Sequence, residues 1–277
     1  MLKENSKHIQ LQYEGFLKTP LLWKKDAVFG LTQFEVNSAK TTQFNSFKKA
    51  EIRLGKRVEQ FSFFTFQQDN SIEILAENIQ IQDGTRTVGE IDCLLLKNKQ
   101  PIHIEIVYKF YLYDKSVGNT EIDHWIGPNR RDSFHQKLTK LKQKQLPLLQ
   151  SAHTKQYLKK QKITSEEIIQ NVYFKAQLFV PLTELNNTFS TINNNCIYGF
   201  YIFLNELEQF NNCKFHIPTK VDWLKEVQTS SNWLNHAIFK ERISTFLNEK
   251  SAPLCWIKYP NGKTQKFFVV WWDFIDS

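Results

Sequence analysis

The clearest pattern in the chain lies between residues 101 and 113, where Ile102, Ile104, Ile106, Tyr108, Phe110 and Leu112 alternate with His103, Glu105, Val107, Lys109 and Tyr111. A period of two sends successive side chains to opposite faces of a strand, so one face is apolar and the other carries the ionisable groups. A helix would scatter the isoleucines around its circumference. Two further strand-like runs come first, SIEILAENIQIQ from residue 71 and TVGEIDCLLL from residue 87. The breaks between the three, Asp83-Gly84 and Lys97 to Gln100, are short enough for hairpins. In the second run Glu90 and Asp92 share one face, opposite Ile91, Cys93 and Leu95. Antiparallel pairing with the third run sets Asp92 beside Glu105.

Helical patterning flanks these strands. Residues 47–66 place Val58 and Phe61 among charges without a proline, which predicts a helix. After a turn-rich stretch from Lys115 to Pro128, Asn129 is a candidate N-cap with Asp132 in the capping-box position. Phe134, Leu138 and Leu141 form its apolar stripe, Gln145 extends it, and Arg130, Lys137 and Lys144 recur every seven residues as a basic side. Pro147 should end this helix. A helix over 151–162, strands from 171 and 196, a helix over 229–248 and a final hairpin turning at Asn261-Gly262 complete the pattern. The loop at 185–195, rich in Asn, Ser and Thr, divides the chain into residues 1–182 and an α+β extension, 183–277.

Composition narrows the classes. With 41% hydrophobic and 14% aromatic residues the chain can fill a substantial core, which excludes disorder as its main state. No apolar run approaches the ~18 residues of a membrane span, and the N-terminus lacks the apolar stretch of a signal peptide, so a cytoplasmic location and no membrane partner are expected. Four cysteines with no C-x-x-C pair argue against the common structural zinc layouts and read as reduced core thiols. The net charge of +8 is not spread evenly: residues 97–160 hold 13 basic and 5 acidic residues, the whole excess. That concentration suits a face that meets a polyanion, the alternative being a solvated pair of basic helices.

The residues that carry chemistry are Glu59, Asp92, Glu105 and Lys109, followed by the basic helix. Converging carboxylates bind hard cations through oxygen, and such an ion polarises a phosphodiester and activates water. Arg130 and Arg131 at the predicted helix start, with Lys137, Lys144 and Gln145 along it, are the candidate nucleic-acid contacts. Trp125, Trp271 and Trp272 are either base-stacking surfaces or core. Of the histidines, His103 falls nearest the carboxylates in the strand pattern. No Walker loop, G-x-G-x-x-G or G-x-S-x-G motif occurs, so no nucleotide cofactor is expected.

The order helix-Glu, strand-Asp, strand-Glu with Lys, then helix resembles the PD-(D/E)XK nuclease superfamily. More locally, RLGKRVEQF at 53–61, GEIDCLLL at 89–96, HIEIVYKFYLYD at 103–114, WIGPNRRDSFHQKL at 125–138 and KQLPL at 144–148 resemble a bacterial family catalogued as domain of unknown function 1853. The resemblance implies an α/β (α+β), restriction-endonuclease-like α-β-β-β-α-β core and hydrolysis of phosphodiester bonds in DNA or RNA. It implies a Mg²⁺ or Mn²⁺ ion on Asp92, Glu105 and Glu59, no zinc, and Lys109 as catalytic lysine. One position departs from the pattern: the usual lysine follows its Glu by two residues, where Val107 stands here. Two residues of strand span about 7 Å and four about 13 Å, so Lys109 lies on the right face but one step further along. A protein that keeps the fold without catalysis, binding nucleic acid or an acidic protein, is the alternative.

Overall fold

The computed structural model describes residues 2–24, 28–37, 43–45, 53–160 and 165–272, and the fold is mixed α+β with strands paired in both directions. In chain order it comprises helices α1 (Leu2–Lys18) and α2 (Leu54–Gln67), and strands β1 (Ile72–Asp83), β2 (Arg86–Lys97), β3 (Gln100–Tyr113) and β4 (Trp125–Ile126). Helices α3 (Phe134–Lys140) and α4 (Ala152–Lys160) follow, then β5 (Ile169–Pro181), β6 (Ile197–Phe203), β7 (Lys214–His216), helix α5 (His236–Asn248), β8 (Leu254–Lys258) and β9 (Thr264–Val270). Two compact units are each assembled from separate stretches. The first is Leu21–Tyr108 with Gln136–Lys175, and the second is Met1–Pro20, Lys109–His135 and Ala176–Ser277, where the sequence suggests a single cut after residue 182. Strands β3 and β5 each run from one unit into the other.

In the first unit, β1, β2 and β3 form the antiparallel meander that the three runs predict, and β5 neighbours β3. The turns obey backbone sterics: Gly84 has φ +58°, and Asn98 and Lys99 have φ of +50° and +68°, the two left-handed residues of a tight hairpin whose twist matches its strands. Helix α2 buries Val58, Phe61 and Phe66; residues 46–52, the start of the helix expected over 47–66, lie outside the described residues. Ile79, Ile81, Ile91 and Leu94 of the meander pack with Leu149, Leu158 and Ile168. Gly89 permits this approach, because a Cβ there would stand 2.7 Å from a methyl of Leu148.

The basic helical stretch differs from expectation at both ends. It begins at Phe134, not at Asn129, because the loop before it uses the groups expected to cap it. Asn129 Oδ1 accepts from Ala252 N–H, the Asp132 carboxylate takes Lys109, the Asp132 carbonyl accepts from Gly127 N–H, and Arg130 is left-handed with φ +54°. Arg130 therefore lies outside the helix, and the seven-residue stripe with Lys137 and Lys144 does not form. Nor does the helix stop at Pro147. Proline supplies no N–H and crowds the preceding turn; here the chain widens to a π turn over Leu141–Gln145, with Leu146 N–H on the Leu141 carbonyl, then tightens to a 3₁₀ turn over Leu146–Gln150.

In the second unit the strand order is β5-β6-β9-β8-β7, with β5/β6 and β6/β9 parallel and β8/β9 and β7/β8 antiparallel. Phe200, Phe215, Phe239 and Phe267 belong to its core. Gly199 is required by packing, since a Cβ there would fall 1.9 Å from the Lys266 carbonyl oxygen. The predicted hairpin turns at Gly262, with φ +80°. Helix α5 starts later than residue 229, at His236, where the Asn235 side chain accepts from Ile238 N–H. All four cysteines are free and buried, and no described helix is long and apolar enough to cross a membrane.

Candidate functional site

Strand β3 is covered on both faces: His103 and Glu105 on its polar side are each 0% exposed. The antiparallel register pairs Cys93 with Ile104 and Leu94 with His103, so one step further Asp92 and Glu105 lie across from each other. Ile106 N–H donates to Asp92 Oδ2 at 2.8 Å, which turns the Asp92 carboxylate toward β3. Burial pushes Asp92 up to about 7, Glu105 and Glu59 add to the shift by repulsion, and the Ile106 N–H and the Lys137 ammonium oppose it.

Glu105 is held from both sides. His103 Nε2–H donates to its Oε1 at 3.0 Å, and Gln145 Nε2, brought in by the π turn, donates to its Oε2. The histidine tautomer follows from its other nitrogen, because Gln170 Nε2 donates to His103 Nδ1 at 3.0 Å and to the Leu146 carbonyl at 2.6 Å. Lys137 Nζ donates to Gln145 Oε1 at 2.7 Å. The result is a directed network, Gln170 to His103 to Glu105 from one side and Lys137 to Gln145 to Glu105 from the other. A buried carboxylate is tolerable only when its lone pairs are satisfied in this way.

Of the residues singled out in the sequence, Asp92, Glu105, Lys137 and Gln145 come together in the first unit. Gln145 acts there as a clamp on Glu105. Glu59 contributes its field to Asp92, but its own carboxylate is engaged by Lys56 Nζ at 2.7 Å, which also reaches Glu90 Oε1 at 3.3 Å. Burial raises Glu59 above the ordinary carboxylate range. Lys144 is exposed. Val107 is buried in the core. Lys109 belongs to the second unit, where its ammonium meets Asp132 at 2.5 Å. Arg130 is in that unit too, paired with Asp114 at 2.6 Å and lying 5.3 Å from the Trp272 ring, and Arg131 is exposed there. Trp125 is core. The basic window is divided between the units, and Lys109, Lys115, Arg130 and Lys155 already have acidic partners.

Sequence reasoning missed Gln170 and the part played by Lys137 in the network. Gln170 has no local signal, since it reaches His103 across 67 residues of chain. Among the described residues, no three His, Cys, Asp or Glu side chains gather as a cation cage. The site offers instead two adjacent carboxylates, with Asp92 Oδ1 accepting no hydrogen bond from a described residue.

The family model described as Domain of unknown function (DUF1853) matches residues 11–270, and the chain belongs to that family. No curated protein and no solved structure matches it.

Proposed function

We propose that the protein is a metal-dependent nuclease whose reaction centre is the Asp92–Glu105 pair. The observation that carries this reading is electrostatic: two carboxylates are set side by side where burial raises Asp92 to about 7, an arrangement that a cation relieves. The succession α2-β1-β2-β3-α3-β5, with the short β4 and helix α4 interposed, supports it by its likeness to the α-β-β-β-α-β order expected from the sequence. The donor set fits Mg²⁺ or Mn²⁺, which take one or two carboxylates and fill their remaining positions with water and substrate phosphate. Asp92 and Glu105 would hold the ion, which when bound supplies a polarised phosphate and an acidified water.

The protein's own residues do the rest. His103 and Gln145 fix the Glu105 carboxylate, so that it does not reorganise as charge develops. Lys137 is the cation whose field reaches Asp92, and in this reading it stabilises negative charge in place of Lys109, whose ammonium is held by Asp132. Glu59 tunes the field at Asp92.

Incubation of the purified protein with single- and double-stranded DNA and RNA, in Mn²⁺ or EDTA, tests this. Metal-dependent cleavage lost in Asp92→Ala and Glu105→Gln, reduced about 10²-fold in Lys137→Met and retained in Lys109→Met is expected. Absence of cleavage on every substrate, or full activity in Asp92→Ala, overturns it. The core position of Val107 and the Lys109–Asp132 pair favour a second reading, a nuclease fold that binds nucleic acid or an acidic protein without cutting. It predicts salt-sensitive binding without turnover.

A further inference from the structure

Folding commits some cations of the basic window and leaves others open. Lys109, Lys115, Arg130 and Lys155 have carboxylate partners, Lys142 rests on the Phe29 carbonyl at 3.2 Å, and Lys137 is turned onto Gln145. Lys140 and Lys144 differ, being exposed and without a partner among the described residues. They stand four residues, about one turn, apart across the junction of α3 with the π turn, and so share a side of the first unit. No Asp or Glu occurs between residues 133 and 165, so nothing in that stretch neutralises them. Lys144 immediately precedes Gln145, whose amide holds Glu105, so the open cations and the clamp on the carboxylate belong to the same turn.

We propose that Lys140 and Lys144 form a contact surface for the phosphate backbone of a nucleic acid, beside the Asp92–Glu105 pair. The inference rests on the nuclease reading and names the face through which that site meets its substrate. The composition of the face selects this partner over an acidic protein. Protein interfaces are depleted in lysine and enriched in aromatic residues, whereas nucleic-acid interfaces draw affinity from lysines that release counterions from phosphates. Residues 136–150 contain no aromatic residue, and their Leu138, Leu141, Leu146 and Leu149 are buried, so what this stretch shows to solvent is mainly lysine and amide. A lysine ammonium meets phosphate as a point charge and reads no base, so the contact is independent of sequence.

The test is fluorescence-anisotropy titration of the full chain, in EDTA, with short single- and double-stranded DNA at salt from about 50 to 200 mM. Wild type is compared with the double variant Lys140→Gln, Lys144→Gln and with Lys263→Gln, which changes an exposed lysine of the second unit. Glutamine keeps the helix propensity of lysine, and thermal unfolding checks that each variant is folded. In the double variant the slope of log affinity against log salt should become shallower by about 1.4 on single strands and about 1.8 on duplex, the loss of two phosphate contacts. Its affinity at the lowest salt should fall at least about tenfold, while Lys263→Gln binds as wild type does. An unchanged slope in the double variant, an equal loss in Lys263→Gln, no binding to either DNA at the lowest salt, or polyglutamate bound as tightly as DNA overturns the proposal. Mn²⁺-dependent cleavage with an unchanged slope in the double variant would sink this inference and leave the nuclease reading intact. The shallower slope without cleavage of any substrate would do the reverse.

Discussion

Asp92→Asn should make the metal-free protein more stable, and only on one side of neutrality. Asp92 is raised from the ordinary 3.8 to about 7 by burial and by Glu105, so folding costs it free energy once it must ionise. The native state then binds a proton that the unfolded chain has released. Its contribution is intact below about pH 4, falls as the pH rises toward 7, and stays lost above that. Raising it from 3.8 to about 7 corresponds to roughly 4 kcal/mol, and because part of the carboxyl meets solvent, about 2 kcal/mol is the expected gain from removing the charge. Asparagine preserves the acceptor for Ile106 N–H. Thermal unfolding followed by circular dichroism in EDTA should give Asp92→Asn a midpoint about 5 °C above wild type at pH 8 and nearly equal to it at about pH 3.5. Millimolar Mn²⁺ should raise the wild-type midpoint and leave the variant unmoved. An offset that is the same at both pH values, or a variant less stable at pH 8, would refute the argument from charge.

Other expectations concern the second unit. Lys266 is buried with its ammonium on Gln177 Oε1 and the Trp223 carbonyl, both at 2.9 Å, and burial lowers it to about 7. The unfolded lysine holds its proton up to about pH 10.5, so stability should rise between pH 7 and 10, on the order of 2 kcal/mol, and urea denaturation of Lys266→Met should lack that rise. Gly199→Ala forces a methyl against the Lys266 carbonyl oxygen and should destabilise by about 3 kcal/mol, seen as a lower urea midpoint with an unchanged slope.

The meander and its register were legible because their signals are local. Alternation along residues 101–113 located β3, and two short breaks were enough to set Asp92 opposite Glu105. Asn129 and Asp132 misled for a physical reason: a capping pattern describes what side chains can do for a helix, and these two serve Ala252 and Lys109 instead. Lys109 was a candidate because strand periodicity says which face a residue shares and nothing about which carboxylate takes its ammonium. Lys137 was legible as a charge but not as a member of the Glu105 network, because its route to that carboxylate runs through a glutamine placed by an irregular turn. The window of excess charge was real in sequence, yet folding distributes it over two units and neutralises part of it locally.

The π turn at Leu141–Gln145 is a helix with one residue more than its hydrogen-bond ladder requires. Each residue of an α-helix turns the chain by about 100°, so removing one here would swing Gln145 away from Glu105 and carry the following 3₁₀ turn, with Leu148 and Gln150, to a different side. The clamp on the carboxylate and the packing of Leu148 against Gly89 therefore share a single phase setting. The loss of the Gln143 codon would unset both together while leaving every named side chain in the sequence.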